Sequence, residues 1–301
     1  MKRSLRAVTL GLSAFAVGWY IVTPAAEPAA SLAHLTGDVA RGAYLARAGG
    51  CIACHTDIVG GGAPLAGGPA LATPFGTFYG PNLTTDKTYG IGNWSVDDFA
   101  TALRLGQRPD GDHYYPAFPY TFYTGLTDQD VADLWAAFRT VRPAAVASTP
   151  HDLKFPFNLR EGLLLWQGLF FEAAPFTPVP DQGAEFNRGA YLTESVAHCG
   201  ACHSPRSLLG ALDPDAPFSG SVSWTEEDSR VPSITAEALK EKGWTLEDLS
   251  YALKTGIKHD GDVFGGGMGE VVRDGTSFMR PDDLRAIAYY LLNRDIKKPS
   301  E

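Results

Sequence analysis

The chain has 301 residues and a formal net charge of −9, which leaves room for two domains of ordinary size and excludes the basic footprint a nucleic-acid-binding protein needs. An acidic balance suits docking on a basic partner and is equally ordinary for a soluble protein, so it decides little more. The four cysteines all fall in two short motifs, and these narrow the chemistry much further.

At the N-terminus, Lys2, Arg3 and Arg6 precede an apolar run from Ala7 to Val22 and the small-residue stretch Thr23-Pro24-Ala25-Ala26. A basic start, an apolar stretch and small residues read as an export signal over residues 1–25. The run of 16 residues (7 to 22 inclusive) falls just short of the roughly 17–25 of a spanning helix, so cleavage and retention as a membrane anchor both stay open. The leading positive residues put Met1 in the cytoplasm and the remainder outside, a periplasmic location, soluble or tethered. Loss of those three basic residues takes the formal charge from −9 to −12.

After Asp38, an N-cap, a helix is expected over residues 39–47 and leads into Cys51-Ile52-Ala53-Cys54-His55. CxxCH brings two thiols to the two vinyl groups of one porphyrin and a histidine to the iron. Cys51 and Cys54 are therefore expected to hold a covalent haem c, with His55 as its proximal ligand. The motif returns as Cys199-Gly200-Ala201-Cys202-His203, 148 residues on (199 minus 51), and gives Cys199, Cys202 and His203 the same roles around a second haem c. A zinc site would need both pairs on one metal, and neither a disulfide nor a thioredoxin-like redox pair calls for a histidine after each second cysteine.

The motifs belong to an internal repeat. Arg41-Gly42-Ala43-Tyr44-Leu45 and Arg188-Gly189-Ala190-Tyr191-Leu192 precede them at nearly the same distance. Further on the halves align at a constant offset of 150, with Trp94 on Trp244, Asp98 on Asp248, Leu103 on Leu253, Gly106 on Gly256 and Asp110-Gly111-Asp112 on Asp260-Gly261-Asp262. Ser95 and Thr245 open capped helices that Gly106 and Gly256 stop, and a final helix follows Thr127 in one half and Pro281 in the other. The segments 59–93 and 208–243 read as irregular loops around the macrocycle edge. The expected fold is all-α: two tandem class I cytochrome c-like domains at 36–142 and 181–297, behind the signal or anchor helix. Residues 143–180 read as an ordered connector with one short helix from Leu163 to Phe171, its Trp166, Leu169 and Phe170 packed between the domains. A docking surface for another subunit or the membrane is the alternative for those three.

The distal ligands break the symmetry. Met268, between glycines on a loop 65 residues after His203, is expected to ligate the second haem iron, while Met279 packs at the start of the last helix. The equivalent of Met268 in the first half is Phe118, which cannot ligate iron. The first haem must use His113, five residues earlier, or His151, or stay open. His34, His198 and His259 have no placement that argues for a ligand.

The segment from Arg41 through Val141 resembles the first haem domain of the cytochrome c subunits of membrane-bound alcohol and gluconate dehydrogenases. The resemblance lies in Arg41-Gly42-Ala43-Tyr44-Leu45, Cys51 to His55, Leu71-Ala72-Thr73-Pro74-Phe75-Gly76, Gly90-Ile91-Gly92-Asn93-Trp94-Ser95 and Tyr115-Pro116-Ala117. Phe155-Pro156-Phe157-Asn158-Leu159-Arg160 is similar to that family's connector, and the second half is similar around Met268-Gly269-Glu270-Val271-Val272 and Asp283-Leu284-Arg285-Ala286-Ile287-Ala288. Many relatives read Tyr-Pro-Ala-Met-Pro-Tyr, with methionine on the iron, where this chain has Phe118; such relatives often keep the histidine at the position of His113 as well. Those subunits also carry a third haem domain, so this sequence is most similar to the family's diheme branch. The resemblance implies an electron carrier between a dehydrogenase or membrane donor and a downstream cytochrome or oxidase, working through two haems of unequal potential. The alternatives are an enzyme whose open first haem acts on peroxide or a sulfur oxyanion, and a subunit that anchors a respiratory assembly by residues 7–22.

Overall fold

A computed structural model describes residues 30–223 and 230–294; the expected signal or anchor over residues 1–25 lies outside them. In chain order the first half holds α1 (Val39–Ala48), α2 (Cys51–His55), α3 (Val96–Leu105), α4 (Tyr120–Tyr123) and α5 (Asp128–Phe138). The connector carries α6 (Gly162–Phe170), and the second half holds α7 (Ala184–Tyr191), α8 (Gly200–His203), α9 (Ala236–Glu241), α10 (Leu246–Thr255), α11 (Gly266–Asp274) and α12 (Pro281–Asn293).

The Arg-Gly-Ala-Tyr-Leu repeat is a close helix crossing. Helix α1 packs on α5, and α7 packs on α12. A Cβ on Gly42 would stand 1.8 Å from the Asp133 carbonyl oxygen, and one on Gly189 would stand 2.0 Å from that of Ala286, so only glycine lets the backbones meet. The arginine beside each glycine reaches over the crossing to a buried carboxylate, Arg41 to Asp133 at 2.6 Å and Arg188 to Asp283 at 2.7 Å. From that arginine to the first cysteine is 10 residues in one half (51 minus 41) and 11 in the other (199 minus 188). A single π turn, Leu192–Val196, takes up the extra residue, because its wider loop holds one more residue than an α turn.

Capping follows the expectation. Asp38 accepts from the Arg41 N–H, Ser95 and Asp98 cap α3 reciprocally, and Thr245 accepts from the Asp248 N–H. Gly106 (φ 60°) and Gly256 (φ 80°) end their helices left-handed.

The loops are less irregular than expected. Strands β1 (Ala70–Thr73) and β2 (Gly76–Tyr79) form a hairpin, and β3 (Asp152–Leu153) adds the connector to it, with Gly76 opposite Leu153 and Thr77 opposite Asp152. The Thr73 hydroxyl tightens the turn by donating to the Gly76 carbonyl and accepting from the Phe75 N–H. In the second half β4 (Ser221–Val222) pairs with β5 (Arg230–Val231), and Thr235 caps α9. The connector helix spans Gly162–Phe170, close to expectation, but its packing differs. Only Leu163 and Gln167 are buried, whereas Leu169 is 61% and Phe170 42% exposed. Trp166 bridges to the second half, its Nε1–H donating to the Leu209 carbonyl at 2.9 Å.

One hydrophobic cluster runs through both halves, from Leu45, Phe99 and Leu134 to Leu192, Leu253 and Ile287. Among the described residues no helix is long and apolar enough to cross a membrane.

Candidate functional site

Helices α2 and α8 are the two CxxCH motifs, each entered through a left-handed residue, Gly50 at φ 71° and His198 at φ 41°. His55 Nδ1 lies 2.8 Å from the Pro81 carbonyl oxygen and His203 Nδ1 lies 2.8 Å from that of Pro232. A carbonyl only accepts, so Nδ1 carries the proton and the Nε2 lone pair is left for a metal. Burial lowers the pKa of both rings against the opposing pull of those carbonyls, which keeps them neutral, as a ligand must be. Burial also pushes the Cys51 and Cys199 thiols up to about 12.

The loop after each motif repeats bond for bond. Thr56 Oγ1 accepts from the Leu65 N–H at 3.0 Å, as Ser204 Oγ does from the Phe218 N–H at 3.0 Å. Leu65 (φ 59°) and Phe218 (φ 64°) are both left-handed, at a cost of about 1–2 kcal/mol for a residue with a Cβ. Their carbonyls accept from the N–H groups of Leu83 and Ile234, and the carbonyls of His55 and His203 accept from Gly67 and Gly220. Sequence reasoning missed these residues because Leu65 follows its histidine by 10 positions and Phe218 by 15. The available signal was a hydroxyl directly after each motif and a later Pro-x-aliphatic triplet, Pro81-Asn82-Leu83 and Pro232-Ser233-Ile234.

A cavity of about 2100 Å³ joins the sites, larger than the roughly 300–1,000 Å³ of an ordinary ligand pocket. Cys51, Cys54 and His55 line it together with Cys199, Cys202 and His203. Two thiols and one neutral imidazole at each motif, against a largely apolar wall, are the donor set a covalent haem requires.

Met268 lines the cavity and packs partly buried against the core. It sits in the first turn of α11 rather than on the expected loop, since Gly265 is already extended and Gly266 (φ 51°) turns the chain into the helix. Met279 is 1% exposed and packs in the core, as expected. Phe118 lines the cavity in the first half, its ring against those of Tyr114, Tyr120 and Tyr123. His113 is not among the cavity-lining residues. Its Nδ1 is buried without a hydrogen-bond partner and its carbonyl accepts from Arg160 at 2.6 Å. His151 does line the cavity, but its Nδ1 accepts from the Tyr79 N–H at 3.3 Å, so the neutral ring carries its proton on Nε2. His259 packs edge-on against Trp244, with ring centres 4.4 Å apart.

The two halves interlock at this level. The Tyr44 hydroxyl donates to Asp283 at 2.5 Å, while that of Tyr191 donates to Asp130 and accepts from the Thr127 N–H at 3.2 Å. Each repeat tyrosine thus closes the start of the other half's final helix. Helix α11, with Met268, packs on α2, and a Cβ on Gly200 of α8 would stand 3.3 Å from the Phe122 ring. Half-buried His198 sets its Nε2 3.3 Å from the Gly49 carbonyl and its ring against Tyr123, so the residue before one motif touches the run-in to the other. Sequence reasoning left His198 without a role.

Two CxxCH helices, with each histidine held through Nδ1 and facing a common apolar cavity, define a c-type cytochrome. Residues 39–138 match the Cytochrome c family model. Over 97% of its length the chain is 41% identical to "Diheme cytochrome c-type" of Cereibacter sphaeroides, covering 98% of that protein, and it belongs to the diheme c-type cytochromes. It is 40% identical over 87% of its length to the gluconate 2-dehydrogenase cytochrome c subunit of Pantoea cypripedii and 37% over 99% to the fructose dehydrogenase cytochrome subunit of Gluconobacter japonicus. The chain spans 61% of each of those subunits. It accordingly binds two haem c groups covalently, and electron transfer is its class of function.

Proposed function

We propose that the chain is a periplasmic carrier that takes single electrons from a dehydrogenase or a membrane donor and delivers them to a downstream cytochrome or oxidase. Each half, 36–142 and 181–297, serves as one haem domain about the connector 143–180, and residues 1–25 export the chain or tether it. The one-electron chemistry is the haem iron's; the protein supplies ligands, an apolar shell and docking. His55 and His203 act as proximal ligands and Met268 as the distal ligand of the second haem. A thioether opposite histidine raises a haem potential, so electrons run from the first half to the second.

One observation carries this reading: both attachment motifs line one apolar cavity, and that cavity holds Phe118 on one side and Met268 on the other. The dehydrogenase subunits among the relatives support a dehydrogenase donor. The test is to mix the reduced protein with an oxidised small cytochrome c. The expected result is delivery of two electrons per chain, the second haem reoxidising at the higher potential in a parallel redox titration. Sustained turnover of hydrogen peroxide by the same sample, or the first haem at the higher potential, overturns it.

A further inference from the structure

We propose that the first haem has no protein ligand on its distal side, and that this side, walled by Tyr114, Phe118 and Tyr123, is a binding site for neutral diatomic molecules such as carbon monoxide and nitric oxide. The proposal deepens the carrier reading and rests on it for the two haems alone.

Phe118 takes the place of Met268 in the repeat (118 plus 150) and lines the same cavity without a lone pair to give. Of the other donors weighed for the first haem, each is either held by another partner or stands off the cavity wall. Met279 is 1% exposed in the core, at the foot of the last helix of the other half. His113 does not line the cavity, and its location is fixed by the bridge between Gln107 and His113 and by Arg160 on its carbonyl. His151 has its Nδ1 lone pair on the Tyr79 N–H and a proton on Nε2, so it meets the cavity as a donor. His198 has only a carbonyl opposite its Nε2, which therefore carries the proton. The Tyr123 hydroxyl is spent on the Gly49 carbonyl at 2.5 Å, and burial pushes the Tyr114 phenol up to about 12, so neither offers a phenolate at neutral pH.

What remains around Phe118 is aromatic. Its ring centre lies 5.3 Å from that of Tyr114 and 5.8 Å from that of Tyr123, both edge-on. Such a wall of ring faces and edges accepts a small neutral molecule, which gives up no strong hydrogen bond on leaving water for it. Ferrous iron binds carbon monoxide and nitric oxide as neutral molecules without a proton or charge to accommodate, and they match that wall.

The experiment uses the full holoprotein, with two haems confirmed by mass, reduced with dithionite and titrated with carbon monoxide while Soret absorbance is followed. One molecule bound per chain is expected for the wild type, and none for F118M, in which a thioether is restored. Azide added to the oxidised wild type is expected to leave the spectrum unchanged. A wild type that takes no carbon monoxide overturns the proposal, and uptake gained only in H113A or H151A would overturn it by naming the internal ligand. Azide bound in preference to carbon monoxide overturns the choice of ligand class. A chain that takes no carbon monoxide yet still delivers two electrons leaves the carrier reading standing, so the two ideas fail separately.

Discussion

In the first half Pro81 holds His55, Thr56 holds Leu65 and Arg41 holds Asp133; in the second Pro232 holds His203, Ser204 holds Phe218 and Arg188 holds Asp283. The distal faces share no such correspondence, for Phe118 stands where the other half has Met268. The difference follows from chemistry. A proximal histidine works only in one tautomer and at one angle, so every neighbour that sets them must recur. A distal position sets potential and access, and two centres in one carrier gain from being unlike there.

The comparison is broken most completely by M268L, which would make both distal sides unable to ligate. Carbon monoxide uptake by the reduced protein should rise from one to two molecules per chain, and the upper wave of a redox titration should fall while the lower stays in place.

Next in size is the paired arginine deletion. Asp133 is fully buried, and without Arg41 it keeps only Gln129 and the Asp38 N–H. Asp283 without Arg188 retains Tyr44 and Arg280. R41A should therefore destabilise the fold more than R188A does in urea unfolding. Equal losses would mean that the extra donors on Asp283 contribute nothing.

The same cluster sets the acid limit. Burial pushes the Asp283 carboxyl up, but hydrogen bonds from Arg188, Tyr44 and Arg280 outweigh it and hold the pKa at about 2. A depressed carboxyl stabilises the fold above its unfolded value of about 3.9, and that contribution fades as pH falls from there towards the folded value. D283N should lose about 2 kcal/mol at neutral pH and show a flatter stability curve between about pH 4 and 2.

The smallest effect sharpens the likeness. T56V and S204A each strand one N–H of a left-handed residue and should cost about 1–2 kcal/mol apiece, with chemical denaturation reading the two losses as equal.

What the sequence disclosed was what lies close along the chain or recurs. Asp38, Ser95 and Thr245 announce helices because each cap is satisfied three residues on, and Gly42 marks a crossing because it recurs as Gly189. The carbonyl that aims His55 belongs to a residue 26 positions away, and the Tyr44 and Asp283 pair spans 239. No local pattern encodes such pairings; tertiary packing does. The hairpin Ala70–Tyr79 was hidden because its third strand comes from the connector, so neither stretch reads as a sheet alone. His113 stands five residues from Phe118 in sequence, yet Phe118 lines the cavity and His113 does not.

The exchanged tyrosines have a mechanical consequence. A carrier built of two beads on a string would let thermal motion vary the gap between its redox centres, and a docking partner could gate the current by bending it. Here Tyr44 and Tyr191 each fasten into the opposite half, above one continuous core. The spacing between the two attachment motifs is then a fixed dimension of a solid interior, set when the chain folds, whichever partner later arrives.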